Sequence, residues 1–232
     1  MVAAHPFWLE PLGCGELVRG RHRLFNNLFD EVAVLYLSSN TTRCPLPGAT
    51  IHLSGALTPQ HVLDVKSFLA REKFTHLYFS YDLGGLAHQL EGFKILELHD
   101  VMHLREQSFR NFGYQAPISV SAAEELTSIR RYDSVLVLNI AEQRYLAGKG
   151  VEQALYLPPS TVFSPTPIHA NARPVGLLGS MAKPNHHGLK QCLGLLVEHQ
   201  GVVAGPLSRA EELKGLSAGS IRNMGVLSDV SD

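Results

Sequence analysis

The side chains best suited to chemistry follow an apolar segment near the middle of the chain. His99 and Asp100 stand directly after Leu98, and Arg105 lies five residues beyond Asp100. An imidazole can donate or accept a hydrogen bond, a carboxylate accepts, and a guanidinium donates several in one plane. Ligands of open α/β sheets bind outside the carboxyl ends of strands, so these three side chains predict a ligand site. The alternative is that Asp100 caps the following helix and His99 is a hydrogen-bonded core residue.

A metal site is not favoured by the sequence. His99 and His103 have the i, i+4 spacing of paired metal ligands, but no Glu stands between them in HExxH order. The three cysteines, Cys14, Cys44 and Cys192, are too widely separated for a zinc site or a disulfide framework. We therefore predict no metal and reduced thiols.

A glycine-containing turn precedes the first predicted helix. Gly13 and Gly15 would let the backbone approach a ligand closely, and the helix that follows offers free N–H groups to an anion or a sugar hydroxyl. The full GxGxxG fingerprint is absent. A tight strand-to-helix turn with no ligand is the equal alternative.

A second turn of small residues lies in the last third of the chain. Gly179 and Ser180 follow a predicted strand, and Lys183 and Asn185 lead into a helix. Backbone amides together with one cation favour phosphate binding. An ordinary turn with an Asn cap remains open for this segment.

The elements that must position these residues alternate between short β-branched runs and longer amphipathic stretches, the pattern of a mostly parallel α/β sheet. The predicted strands of the first half are Val2–His5, Val32–Ser38, Thr50–Leu53, His76–Tyr81, Lys94–Leu98, Ser134–Asn139 and Ala154–Leu157. The predicted helices between them are Glu16–Phe29, Pro59–Lys73, Val101–Phe112, Ser121–Arg131 and Ile140–Gly148. Thr58 before Pro59, and Ser121 with Glu124, are helix-start signals.

A proline-rich stretch after Leu157 predicts a domain boundary. We predict a first Rossmann-like domain over 1–157, a linker over 158–173 and a partial second Rossmann-like domain over 174–232. The predicted elements of the second domain are strand Val175–Leu178, helix Asn185–Gln200, strand Val202–Ala204, helix Ser208–Leu216 and strand Ser220–Met224. Three strands are fewer than a doubly wound half needs, so the second domain is expected to be small or truncated.

Composition narrows the class of protein. Of the 232 residues, 45% are hydrophobic and 18% are charged, which is enough apolar surface for a packed core. The net charge of −1 disfavours nucleic-acid binding. No run approaches the length of apolar sequence that a membrane span requires. We predict a soluble cytoplasmic protein whose only membrane contact would be peripheral, at the inner face.

In their order along the chain, these motifs resemble bacterial group 1 glycosyltransferases of the GT-B fold. The segments that carry the resemblance are Gly13, Gly15 and Arg19 near the start, Phe29–Leu35, His99–Asp100 with Arg105, Tyr132–Glu142, Leu157–Pro159, Gly179–Met181, Pro184–Asn185 and Met224–Val230. The family fold has two Rossmann-like domains with the active site in the cleft between them.

The resemblance implies transfer of a sugar from a nucleoside-diphosphate sugar to a saccharide acceptor, with no covalently bound cofactor and no required metal. It implies that Gly13 and Gly15 border the donor phosphates and that His99 is catalytic and faces the transferring sugar. It also implies that Gly179, Ser180, Lys183 and Asn185 contact the diphosphate. Asp100 and Arg105 would lie on the acceptor side.

One departure from the family pattern affects the donor site. The family's two Glu residues separated by seven positions have no counterpart before Asp232, and its diphosphate-gripping Arg/Lys pair is not found. The resemblance therefore predicts an incomplete donor site. The rival interpretation is a non-catalytic Rossmann-like binding module or an inactive fragment. A dinucleotide-dependent oxidoreductase is disfavoured because GxGxxG and a ribose-reading acidic residue are absent.

Overall fold

The computed structural model describes residues 1–3, 7–9, 14–38, 43–53, 57–81, 85–116, 118–159, 176–178, 183–216 and 219–225. The chain divides into two compact units. The first contains Met1–Ser108 and Ala116–Val162, and the second contains Phe109–Gln115 and Phe163–Asp232.

Seven parallel strands form the sheet of the first unit, in the order β3-β2-β1-β4-β5-β6-β7. The strands are β1 (Val2–Ala3), β2 (Val34–Ser38), β3 (Gly48–His52), β4 (His76–Phe79), β5 (Phe93–Leu98), β6 (Ser134–Val137) and β7 (Ala154–Tyr156). The helices are α1 (Cys14–Leu28), α2 (Pro59–Glu72), α3 (Met102–Asn111), α4 (Ala122–Ile129) and α5 (Ile140–Gly148). The predicted α/β class is confirmed, and the sheet order is Rossmann-like.

Two helix starts form for the local reasons that the sequence predicts. The Thr58 hydroxyl accepts a hydrogen bond from the His61 amide at 3.3 Å, with Pro59 as the first helical residue. The Ser121 hydroxyl accepts from the Glu124 amide at 3.2 Å, and the Glu124 carboxylate accepts from the Ser121 amide. These hydrogen bonds satisfy backbone amide groups that each helix leaves unpaired at its start, so α2 and α4 begin at defined residues.

The central strands are buried on both faces. Val2 and Leu35 belong to the larger apolar cluster, whereas the adjacent residues Ala3 and Val34 belong to a second cluster. Successive side chains of a strand point to opposite faces, so the two clusters cover opposite sides of the sheet.

Gly48 is required at the start of β3. Its φ is +139°, and a Cβ atom there would lie 2.0 Å from the Val34 carbonyl oxygen. Any side chain would collide with the backbone of β2, so the pairing of β3 with β2 depends on glycine at this position.

The second unit contains a three-stranded parallel sheet in the order β10-β9-β8. Its strands are β8 (Gly176–Leu178), β9 (Val202–Ala204) and β10 (Arg222–Gly225), and its helix is α6 (Lys183–Glu198).

The predicted helix Ser208–Leu216 is wrong. Two short 3-10 helices stand in that region, Pro206–Arg209 and Glu211–Leu213, with Ala210 extended between them. Leu207, Ala210 and Leu213 pack against the apolar cluster of this unit at a spacing of three residues. Because the backbone of Ala210 is extended, the two short helices cannot be turns of one continuous helix.

No helix within the described residues is both long enough and apolar enough to cross a membrane.

Candidate functional site

The candidate site lies at the carboxyl edge of the seven-stranded sheet. The strand order reverses between β1 and β4, and β5 is the next strand beyond β4. Ser80 and Tyr81 follow β4, while His99 and Asp100 follow β5. Crevices at such reversal points are the usual ligand sites of open α/β sheets.

Tyr81 and His99 form a hydrogen-bonded stack at this edge. The Tyr81 hydroxyl lies 3.0 Å from His99 Nδ1, and the two ring centroids are 4.4 Å apart with planes inclined by 35°. Tyr81 was not among the predicted site residues. The signal that could have found it is its place at the end of predicted strand His76–Tyr81, because the next strand along the chain ends at Leu98.

Asp100, the residue after His99, forms an ion pair with Arg105. Arg105 Nη1 donates to Asp100 Oδ2 at 2.7 Å, and the two side chains are 38% and 42% exposed. Asp100 is therefore paired with a cation and remains accessible to solvent.

Carboxylates from other helices occupy the start of α3. The amides of Met102 and His103 donate to the two oxygens of Glu125, at 2.7 and 2.8 Å. The amide of Val101 donates to Glu142 at 3.1 Å. Because these carboxylates already take the N–H groups that a bound anion would use, this helix start is not a phosphate site.

The surroundings of the Glu142 carboxyl raise its pKa. Burial raises this pKa, and the charges of Asp100 and Glu125 raise it further, against the opposing effect of the hydrogen bond from the Val101 amide. The region around His99 and Asp100 is therefore rich in hydrogen-bond acceptors.

His103 is held by protein groups on both ring nitrogens. Nδ1 lies 2.5 Å from Glu125 Oε2, and Nε2 lies 2.7 Å from the Tyr145 hydroxyl. His99 and His103 thus make separate contacts rather than a metal-binding pair. Across the described residues, no group of three His, Cys, Asp or Glu side chains is placed to hold a metal ion.

Ser80 places a buried hydroxyl at the same edge. The residue is 1% exposed, and its Oγ has no hydrogen-bond partner in the part of the chain that the structure describes. An unsatisfied buried hydroxyl costs about 1–3 kcal/mol. Ser80 is therefore a candidate ligand contact that the sequence analysis missed.

A buried polar triad lies just below this edge. Arg21 Nε donates to Glu97 Oε1 at 2.8 Å, and the Tyr78 hydroxyl donates to Glu97 Oε2. Arg21 Nη2 also donates to the carbonyl of Leu157 at 2.9 Å. Burial raises the pKa of Glu97, while the hydrogen bond from Tyr78 and the charge of Arg21 oppose that rise. The triad joins α1 to β4, β5 and the end of β7.

The predicted phosphate-binding glycines are only partly described. Gly13, Gly179 and Ser180 lie outside the described residues. Gly15 is buried in the first turn of α1.

The remaining predicted donor residues lie on α6 in the second unit. Lys183 begins α6, but its side chain is not described, and Asn185 is exposed in the first turn of that helix.

Next to these residues, His186 and Lys190 contact Glu212. His186 Nε2 lies 2.5 Å from Glu212 Oε2, and Lys190 Nζ lies 3.1 Å from Oε1. The backbone amide of Glu212, followed by the hydrogen bond from His186, lowers the pKa of Glu212 to about 2. The side chain of His186 therefore makes its described polar contact with the Glu212 carboxylate.

An apolar cavity opens at the opposite, amino edge of the seven-stranded sheet. Phe25, Phe29, Phe74 and His76 are among the residues that line it. Since His99 follows the carboxyl end of β5, this cavity is not part of the site described above.

Neither a protein-family model nor a curated protein matches the chain.

Proposed function

We propose that the chain is a glycosyltransferase of the GT-B kind, which moves a sugar from a nucleoside-diphosphate sugar to a glycan or lipid-linked saccharide. The observation that carries the proposal is the stacked Tyr81–His99 pair at the carboxyl edge of a Rossmann-like sheet. A fixed imidazole beside the reversal point is suited to contact a sugar during transfer.

The groups near His99 favour a hydroxyl-rich ligand. The carboxylate of Asp100 and the guanidinium of Arg105 can accept and donate hydrogen bonds to sugar hydroxyls. Phosphate is disfavoured at the start of α3, because Glu125 and Glu142 occupy its amides. This supports an acceptor-side role for Asp100 and Arg105.

The donor diphosphate is assigned, through the family resemblance, to the starts of α1 and α6. Free N–H groups and the positive end of the helix dipole favour anions at such positions. The residues proposed to contact the diphosphate are Gly13, Gly15, Gly179, Ser180, Lys183 and Asn185.

The proposed reaction exchanges one bond for another at the anomeric carbon of the donor sugar. The acceptor oxygen bonds to that carbon, the bond from the carbon to the diphosphate oxygen breaks, and the proton of the acceptor hydroxyl passes to the leaving nucleoside diphosphate. The nucleoside diphosphate leaves. His99 faces the transferring sugar and supplies a hydrogen bond to it in the transition state.

Thermal unfolding of the whole chain with UDP-, GDP-, ADP- and TDP-sugars tests whether a donor site exists. A ligand at 100 times its Kd stabilises the folded state by about 2.7 kcal/mol, so one nucleotide series should raise Tm clearly. If none of the four series raises Tm, the glycosyltransferase proposal fails, and the binding-module or inactive-fragment interpretation replaces it.

His99→Ala tests the role of the imidazole. We expect the variant to keep the Tm increase with the nucleoside diphosphate and to lose sugar transfer, measured as release of nucleoside diphosphate with acceptor present. His76→Ala is the matched control, because His76 lies at the amino edge of the same sheet. Sugar transfer by His99→Ala at the wild-type rate would show that His99 is not part of the active site.

A further inference from the structure

Two hydrogen bonds that involve tyrosine hydroxyls link residues near the ends of β4 and β5. Tyr78 reaches Glu97 in the interior, and Tyr81 reaches His99 at the edge. The register pairs Phe79 with Leu96, so Tyr81 and His99 come just after the last paired residues of adjacent strands. The sheet itself therefore sets the distance between the two rings.

Tyr81 restricts the His99 ring in two ways. The stack, with centroids 4.4 Å apart, limits tilting of the imidazole, and the hydroxyl 3.0 Å from Nδ1 limits its rotation about the Cβ–Cγ bond. A single contact would fix only one of these motions.

We propose that Tyr81 is a positioning residue that donates its hydroxyl proton to Nδ1 and holds neutral His99 with its hydrogen on Nε2. The O–H of a phenol is a stronger acid than the N–H of a neutral imidazole, which favours donation by the hydroxyl. The Nε2–H group is then the donor of His99, on a nitrogen that is buried in the described structure, and the proposed function requires the transferring sugar to reach it. This step rests on the proposed function, but the tautomer of His99 does not.

The tautomer can be measured directly by ¹⁵N NMR of the histidine rings in the whole chain at neutral pH. We expect wild-type His99 to show Nε2 protonated and Nδ1 unprotonated. In Tyr81→Phe, which keeps the ring and removes the hydroxyl, the two nitrogen signals should move toward the averaged values of mixed tautomers. Wild-type His99 protonated on Nδ1, or unchanged signals in Tyr81→Phe, would overturn the proposal.

Tyr145→Phe provides a matched control, because the Tyr145 hydroxyl lies 2.7 Å from Nε2 of His103. This variant should change the His103 signals and leave those of His99 unchanged. Circular dichroism and Tm confirm that both variants are folded. A change of the His99 signals in Tyr145→Phe as large as that in Tyr81→Phe would show that the Tyr81 effect is not local.

Activity separates this inference from the proposed function. In Tyr81→Phe we expect kcat to fall about tenfold with KM for the donor unchanged, as for loss of one orienting hydrogen bond. If no nucleotide sugar binds the wild type but the His99 tautomer changes as expected, the proposed function fails and the positioning by Tyr81 stands. An unchanged kcat in an active enzyme would overturn the catalytic part of the inference.

Discussion

The two polar clusters at the ends of β4 and β5 differ sharply in exposure although only a few residues separate them. Glu97 is 0% exposed and Arg21 1%, whereas the side chains of Asp100 and Arg105 are 42% and 38% exposed. The interior cluster connects elements of the fold, and the edge cluster presents polar groups to solvent. Within one sheet, the position along a strand decides whether a polar side chain is buried in the interior or exposed to solvent.

Arg21→Met should give the largest effect, since it leaves the Glu97 carboxylate buried without its cation. Breaking one side of a buried ion pair costs about 3–5 kcal/mol. Urea denaturation followed by circular dichroism measures the loss. Asp100→Asn is the control at the edge, and breaking its exposed pair should cost less than about 1 kcal/mol.

The double variant Arg21→Met with Glu97→Leu sharpens the comparison. Replacing a buried ion pair by apolar groups of similar size is often close to neutral. Much of the stability lost in Arg21→Met should therefore return. Equal losses in Arg21→Met and Asp100→Asn would instead mean that the interior and edge clusters do not differ energetically.

Glu125→Ala should lower the stability by an intermediate amount. The Glu125 carboxylate is mostly buried, but it lies at the start of α3. The substitution removes the acceptor for the amides of Met102 and His103 and should cost about 2 kcal/mol. Denaturation measures the loss, and faster hydrogen exchange at these two amides locates it. Thr127→Ala, at an exposed position of the same helix α4, should change neither quantity.

Glu212 should give the smallest effect, because solvent screens its contacts at the surface of the second unit. Its pKa is lowered from the ordinary value of 4.5 to about 2, so it stabilises the fold above pH 4.5. That contribution should be lost as the pH falls from 4.5 through 2. NMR titration of the carboxyl measures the pKa, and His186→Ala should raise it.

Glu211→Gln is the control for this measurement, since Glu211 contacts Lys214 rather than His186. It should leave the titration of Glu212 unchanged. A Glu212 pKa near 4.5 in the wild type would contradict the prediction.

The sequence predicted those parts of the fold that depend on local patterns. Strand alternation gave the α/β class, and the pairs Thr58–Pro59 and Ser121–Glu124 gave two helix starts. Asp100 and Arg105 are also only five residues apart in sequence, and so these residues could be proposed together.

Contacts between distant residues could not be predicted in the same way. Arg21 and Glu97 are 76 residues apart, and Glu97 stands between the apolar residues Leu96 and Leu98 of a predicted strand. Tyr81 lies inside the predicted strand His76–Tyr81, and an aromatic ring fits a strand pattern. Only the order of the strands shows that it meets His99.

The capping of α3 by distant carboxylates has a consequence for folding kinetics. Met102 and Glu125 are 23 residues apart, and Val101 and Glu142 are 41 apart. Since contacts of long sequence separation form only after the intervening chain has closed, the first turn of α3 cannot complete its hydrogen bonding by itself. The end of β5 and the start of α3 should therefore order late on the folding pathway, after α4 and α5 have docked.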